Sequence, residues 1–233
     1  MDIVQRLESA WQTHADGQFE AALQEYIALF DAAEDASLRL SYILAAWAKL
    51  AEEYLPAHHA LVDLRNRLTA ELPAAPQLFH DIRVINDKLG DLQNTYHLFK
   101  TLPEALAQQN ARAALPSIMA CGDFELARRC LPHPEQHLAL AAMQLNELKN
   151  NINALTTEGM AELLADVFNY TTEVTLVLDL LNGCGDTAAA AIARQQAVSL
   201  VQAPEARACV QAELDAPGTT LDAMVELQNS VTA

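Results

Sequence analysis

Apolar residues recur at intervals of three and four along the N-terminal part of the chain. One set lies between residues 3 and 11, and a second lies between residues 19 and 30. The two sets are Ile3, Leu7, Ala10 and Trp11, and Phe19, Ala22, Leu23, Tyr26 and Phe30. This spacing is typical of an amphipathic α-helix. Because the short stretch of residues 15–18 separates the two sets, the pattern predicts a helical hairpin.

A glycine marks the same kind of turn at four places in the chain. These turn glycines are Gly17, Gly90, Gly122 and Gly185. Glycine ends a helix readily because it adopts positive φ angles, and the aspartate that follows three of them suits the start of the next helix. The separations of 73, 32 and 63 residues fit a period of about 34 if the outer two are double intervals. This period predicts further turns at residues 52–57, with Pro56 in the first turn of the next helix, and at residues 150–153.

A period of 34 residues with paired helices is the signature of tetratricopeptide repeats. Residues 17–26, Gly-Gln-Phe-Glu-Ala-Ala-Leu-Gln-Glu-Tyr, are similar to the family's Gly-Asp-Tyr-x-x-Ala-apolar-x-x-Tyr stretch. The units at Gly90 and Gly122 match less fully, and the family's Trp-x-x-Leu-Gly-x-x-Tyr element is absent. The chain therefore resembles a divergent tetratricopeptide-repeat protein over about residues 2–200.

The resemblance implies an all-α fold in which antiparallel helix hairpins stack into a right-handed solenoid. We expect about six hairpins, some degenerate, over residues 1–202 and a C-terminal helical cap over residues 203–233. The cap covers the apolar face of the last hairpin, which stacking would otherwise leave exposed. Its helices are predicted at residues 203–214 and 219–231, with Pro204 and Pro217-Gly218 at their boundaries. Another kind of α-hairpin array is the alternative.

Composition and charge narrow the class of protein. Hydrophobic residues make up 52% of the chain but aromatic residues only 6%, and Gly and Pro are scarce, which favours helices. The formal net charge of −17 argues against nucleic acid and anionic membrane surfaces as partners. It permits a basic protein partner. The four cysteines form no C-x-x-C pair, and no export signal or membrane span is recognisable, so we expect a cytoplasmic protein.

Motifs that would carry catalysis or bind a metal are weak. His133 and His137 have a chelating spacing, but Pro134 occupies the place where a zinc-protease helix has glutamate. The glycine cluster at residues 182–186 follows no strand and precedes no lysine, so it predicts a helix break rather than a phosphate loop. We therefore expect no catalytic residues, no metal site and no cofactor.

The resemblance also implies a binding surface, because the first helix of each tetratricopeptide pair lines a concave groove. Projected onto this chain, the groove presents aromatic and cationic residues, which are common interface anchors. The residues are Trp11, His14, Arg39, Tyr42, Lys49, His80, Lys88 and Arg112. Such a groove suits an acidic or C-terminal peptide, although it lacks the asparagines of the chaperone-binding clamp. Trp47 is expected in the core, and Trp11 either there or in the groove.

The C-terminal third offers a second candidate surface. Residues 151–233 hold 11 acidic residues against Arg194 and Arg207. Glu158, Glu162 and Asp166 represent this acidic face, which would speed encounter with a basic partner.

These features together favour a non-catalytic module that holds a protein partner on an extended helical surface. A bacterial immunity protein that neutralises a toxin is the leading version. A secretion chaperone or adaptor, or a scaffold subunit, is the alternative. A small-ligand-binding or enzymatic helical protein, with a pocket lined by His80, His97 or Cys121, is a further one. The oligomeric state stays open.

Overall fold

The computed structural model describes residues 2–149 and 156–232. Within those residues the chain forms thirteen α-helices and no strand, which confirms the predicted all-α class. The first seven helices are α1 Ile3–Ala15, α2 Phe19–Ala32, α3 Leu44–Glu53, α4 Leu55–Glu71, α5 Leu78–Lys88, α6 Leu92–Thr101 and α7 Glu104–Ala120. The remaining six are α8 Phe124–Cys130, α9 Pro134–Lys149, α10 Thr157–Gly183, α11 Thr187–Ser199, α12 Pro204–Asp215 and α13 Thr219–Thr232. Among the described helices, none pairs the length with the apolarity that a membrane span requires.

The chain divides into two compact units, Met1–Cys121 and Gly122–Ala233. Helices α12 and α13 lie where the two C-terminal helices were predicted. The division into repeats over residues 1–202 and a cap over residues 203–233 stays a prediction. The predicted turn at residues 150–153 lies outside the described residues.

In the first unit each helix packs against the next one along the chain. Short turns make α1 with α2, α3 with α4, and α5 with α6 into helical hairpins. The first helices of the second and third hairpins, α3 and α5, also contact each other, and α5 packs on α7. Each helix buries an apolar stripe in these contacts, and the largest fully buried side chains include Tyr26, Leu29, Ile43, Leu44, Leu50, Leu61, Phe79, Ile82, Ile85, Leu115 and Ile118.

The glycine turns were predicted correctly, and the turn at Gly90 and Asp91 shows how a glycine and an aspartate act together. Gly90 has a φ of +68° and ends α5. The amide of Asp91 donates to the carbonyl of Asn86 at 2.7 Å, while the side chain of Asp91 accepts from the amide of Asn94 at 3.2 Å. One dipeptide therefore closes one helix and caps the next. Glycines 17, 122 and 185 adopt the same left-handed conformation.

Buried aromatic donors tie helices together within the hairpins. The predicted turn at residues 52–57 is present, and Trp47, which is 2% exposed as expected for a core residue, spans it. Its indole nitrogen donates to the carbonyl of Ala57 at 3.1 Å, which links α3 to α4. The hydroxyl of Tyr26 donates to the carbonyl of Ala10 at 3.4 Å and links α2 to α1. Burial raises the pKa of Tyr26 to about 12, so this donor keeps its proton.

The second unit is organised around one long helix. α10 has 27 residues and contacts α8, α9, α11, α12 and α13. The 34-residue period places two helices between residues 153 and 185, whereas α10 alone fills residues 157–183 of that interval. The physical reason is that residues 160–182 contain no glycine or proline to break the helix. The glycine cluster at residues 182–186 is the predicted helix break, because α10 ends at Gly183.

A π-helical segment, Leu38–Ile43, runs directly into α3. It was not predicted, since its pattern of apolar residues does not distinguish a π-helix from an α-helix. It buries Leu40 and Ile43 in the core of the first unit.

The left-handed conformation at Gly90 predicts a specific effect of substitution. A Cβ atom at this position would meet no atom within 4 Å, so only the backbone conformation opposes a side chain. Gly90→Ala should lower the free energy of unfolding by about 1 kcal/mol, measured by urea denaturation. Gly90→Asn is the matched control and should cost less, because asparagine tolerates this conformation. An alanine variant as stable as the asparagine variant would contradict this account.

Candidate binding groove

A groove of about 390 Å³ opens on the first unit between α1, the start of α2, and α3. Its lining is mainly apolar and aromatic, with one ammonium and one carboxylate group. The lining residues are Trp11, His14, Ala15, Gly17, Phe19, Tyr26, Ala46, Lys49 and Glu53. A concave, mostly apolar site of this size with few polar groups has the character of a binding pocket.

The exposed indole of Trp11 is the most prominent feature of the groove. Leu7 and Ala10 take the buried face of α1, which leaves Trp11 at the edge of that face with 44% of its surface exposed. The adjacent His14 ring makes edge-to-face contacts with Phe19 and Tyr26, at centroid distances of 5.8 and 6.4 Å. Such edge-to-face pairs are stabilising and hold the rings in place. Trp11 therefore stands beside a packed aromatic floor.

One carboxylate lines the groove, and two others pair with or adjoin lining residues. Lys49 Nζ lies 2.6 Å from Glu52 Oε2, and this hydrogen-bonded pairing raises the pKa of Lys49. The Tyr54 hydroxyl donates to Glu20 at 2.8 Å, which lowers the pKa of that carboxyl. The Tyr54 ring also packs on Phe19, a lining residue, at 5.7 Å. Glu53 lines the groove directly.

The structure brings together part of the predicted groove set. Trp11, His14 and Lys49 line one groove. Tyr42 lies on the π-helical segment and is 55% exposed. His80, Lys88 and Arg112 are at the surface of α5 and α7 and do not line this groove.

Arg39 has a different environment from the one predicted. Its guanidinium lies 2.7 Å from the carboxylate of Asp81, donates to the carbonyl of Ala33 at 3.1 Å, and sits over the Phe30 ring at 5.6 Å. The side chains of Arg39 and Asp81 are only 21% and 10% exposed. Arg39 thus joins the π-helical segment to α5 in the packing of the unit. Sequence reasoning missed this role because Asp81 is 42 residues away.

His80 lies beside this ion pair at the surface of α5. Partial desolvation of its ring is the main cause that lowers the pKa of His80, and the positive charge of Arg83 is the next. Its imidazole is therefore less readily protonated than an ordinary histidine, which makes His80 a poor cationic anchor at neutral pH.

The acidic face follows α10. Glu158, Glu162 and Asp166 are spaced by four residues and share one side of the helix. The first two are exposed and Asp166 is half-buried. Burial raises the pKa of Asp166, and the nearby charge of Glu162 raises it further.

His133 and His137, whose spacing would suit a metal ion, lie in different environments. His137 Nε2 lies 2.7 Å from Glu173 Oε2 and links α9 to α10, whereas His133 is exposed. Within residues 2–149 and 156–232, no group of three or more His, Cys, Asp and Glu side chains is placed to hold a metal ion. The four cysteines all lie within the described residues and form no disulfide bond.

Comparison with known proteins does not assign the chain to a family. No protein-family model, no curated protein and no solved structure matches it. The groove is therefore the best candidate site on the grounds of its own geometry, because it combines concavity, an exposed indole and a few polar groups.

Arg39 and Lys49, two cations that the sequence placed in the groove, should respond differently to substitution. Arg39→Ala should lower the free energy of unfolding by about 3 kcal/mol, because it leaves Asp81 buried without its counter-ion. Lys49→Ala is the control and should leave stability unchanged within error, since both members of its ion pair are well exposed. Urea denaturation of both variants measures the difference. Equal stabilities would contradict the structural role of Arg39.

Because the folded state raises the pKa of Asp166, this carboxyl makes the stability of the fold depend on pH. A carboxyl with a raised folded-state pKa stabilises the fold below its unfolded-state pKa, and that contribution is lost as pH rises through the folded-state value.

Glu162→Gln should lower the pKa of Asp166 towards its ordinary range, and burial should keep it partly raised. Carboxyl NMR titration measures this pKa. Glu8→Gln, which changes the net charge equally, should leave it unchanged, and an unmoved Asp166 in Glu162→Gln would refute the coupling.

Proposed function

We propose that this chain is a non-catalytic protein-binding module that holds a segment of a partner protein in the groove beside Trp11. The exposed indole is the observation that carries the proposal. Large aromatic residues are enriched among the residues that dominate binding energy, and such a residue at the mouth of a concave site is the usual anchor. Trp11 keeps 44% of its surface exposed on the lining of a concave site, and a bound segment would cover that surface.

The order of the hairpins supports a tetratricopeptide-like arrangement of the first unit. In that family the first helices of successive hairpins lie next to one another and line the binding surface. Here α3 contacts α5, α5 contacts α7, and α1 and α3 line the groove. We therefore extend the proposal to a right-handed solenoid for the first unit, with the groove on the side formed by first helices.

The chemistry of the groove favours binding over catalysis. Its nine lining residues include no serine, threonine or cysteine. The Tyr26 hydroxyl is buried and hydrogen-bonded, and its raised pKa of about 12 makes it a poor nucleophile or base at neutral pH. The imidazole in the lining, that of His14, packs edge-on against the rings of Phe19 and Tyr26.

Among binding functions, we favour the masking of a basic partner, as an immunity protein masks a toxin. The charge of −17 supports this choice because opposite net charges speed association. A secretion chaperone or adaptor, or a scaffold subunit, would use the same groove for a less restricted set of partners. The number and charge of the partners distinguish these versions.

Affinity capture from the native host tests the proposal. The tagged chain and its Trp11→Ala variant are each purified at moderate salt, and bound proteins are identified by mass spectrometry. We expect one stoichiometric partner with the native chain and at least a ten-fold loss with Trp11→Ala, which corresponds to about 1.4 kcal/mol. Leu55→Ala is the matched control, because Leu55 is 64% exposed in the same unit but lies outside the groove.

The outcomes separate the alternatives. A single small basic partner supports masking, whereas several unrelated partners support a chaperone or adaptor. A partner retained by Trp11→Ala but lost when Glu158, Glu162 and Asp166 are changed to lysine would move the interface to the acidic face of α10. Capture of no protein by the native chain would refute the proposal.

A further inference from the structure

We infer that the partner segment which enters the groove carries a lysine or arginine side chain, whose stem lies on Trp11 and whose charged head pairs with Glu53. This inference rests on the proposed function and names the chemistry of its ligand. It reverses the sequence-based expectation of an acidic peptide in this groove.

The charge balance around the groove is the first argument. The one ammonium in the lining, Lys49, is already paired with Glu52 at 2.6 Å. Glu53 is the carboxylate in the lining, and its charge acts with that of Glu52 to raise the pKa of Lys49, so the two carboxylates outnumber the one ammonium. Asp16 and Glu20 adjoin the lining residues Ala15, Gly17 and Phe19 in the sequence. The local field therefore attracts a cation and repels an acidic peptide.

The aromatic surface is the second argument. A cation over the face of a tryptophan is attracted by the ring, and arginine and lysine stems also bury apolar surface along such a face. The described part of the chain contains two contacts of this type, with Arg39 5.6 Å from the Phe30 centroid and Lys100 Nζ 4.9 Å from the Tyr96 centroid. Trp11 has the exposed surface to do the same for a side chain from outside.

The size and shape of the groove are the third argument. A volume of about 390 Å³ accommodates a long side chain with its flanking backbone. The apolar and aromatic floor suits the stem, and the groove is lined by Glu53 from α3 and by Trp11 from α1. A side chain with an apolar stem and a cationic head matches both the apolar floor and the Glu53 carboxylate. A purely aliphatic side chain would leave that carboxylate without a cationic partner.

The local field can be measured without any peptide. Trp47 is 2% exposed, so ionic quenchers of fluorescence report on Trp11. The quenching constants of caesium and iodide for Trp11 are each divided by the constant for free N-acetyltryptophanamide. The resulting ratio should be higher for caesium than for iodide. Glu53→Gln should reduce this preference, and Trp11→Phe should abolish quenching. A preference for iodide would overturn the inference.

Peptide binding tests the inference directly. The probes are three capped pentapeptides that differ only at the centre, Leu-Ala-Arg-Ala-Leu and its glutamine and glutamate counterparts. Binding is followed by the indole N–H signal of Trp11 in ¹⁵N NMR spectra, with the Trp47 signal as an internal reference. We expect the arginine peptide to bind about five-fold more tightly than the glutamine peptide, and the glutamate peptide to bind most weakly.

Two charge-neutralising variants provide the matched comparison. Glu53→Gln should remove most of the preference for arginine, whereas Glu226→Gln, which removes one charge from the second unit, should preserve it. The inference is overturned if the glutamate peptide binds as tightly as the arginine peptide, if Glu53→Gln leaves the preference intact, or if no peptide shifts the Trp11 signal at millimolar concentration.

Failure of this inference is distinguishable from failure of the proposed function. If affinity capture depends on Trp11 but not on Glu53, the groove binds a partner and the cationic side chain is wrong. If capture does not depend on Trp11, the proposed function itself is wrong.

Discussion

The tight turn between paired helices is the constraint on which the first unit depends. At Gly90-Asp91 the glycine ends a helix in a left-handed conformation, and the aspartate side chain caps the next helix. The chain reverses within about three residues at such a turn, so successive helices must pack side by side. Their apolar stripes then face each other, and the buried donors Tyr26 and Trp47 hold the pairs in register. The groove follows from this order, because first helices of neighbouring hairpins line a common surface.

Much of the fold could be predicted because its signals are local. Helical spacing and turn glycines placed α1, α2 and the turns at Gly17, Gly90, Gly122 and Gly185 correctly. The regular period did not extend through the second unit, where one helix of 27 residues replaces a predicted pair. A period inferred from turn spacing cannot register an uninterrupted helix that fills a whole interval. The π-helical segment escaped prediction because its apolar residues fit either helix type.

The candidate site was predictable only in part, for a physical reason. Trp11, His14 and Lys49 could be placed on the first helices of two hairpins, and those helices do line one groove. Whether a charged side chain is available depends on partners that are distant in sequence. Arg39 is held by Asp81, so its charge belongs to the packing rather than to the groove. Lys49 is paired three residues away with Glu52, a pairing that its spacing on a helix permitted but did not require.

The central claim is that the groove lined by α1 and α3 binds the partner. Amide hydrogen exchange, measured with and without the captured partner, tests it most directly because it locates the bound surface on the native chain. We expect added protection in Ile3–Ala15 and in Leu38–Glu53, with little change in α10. Protection confined to Thr157–Gly183, with none in α1 or α3, would contradict the claim.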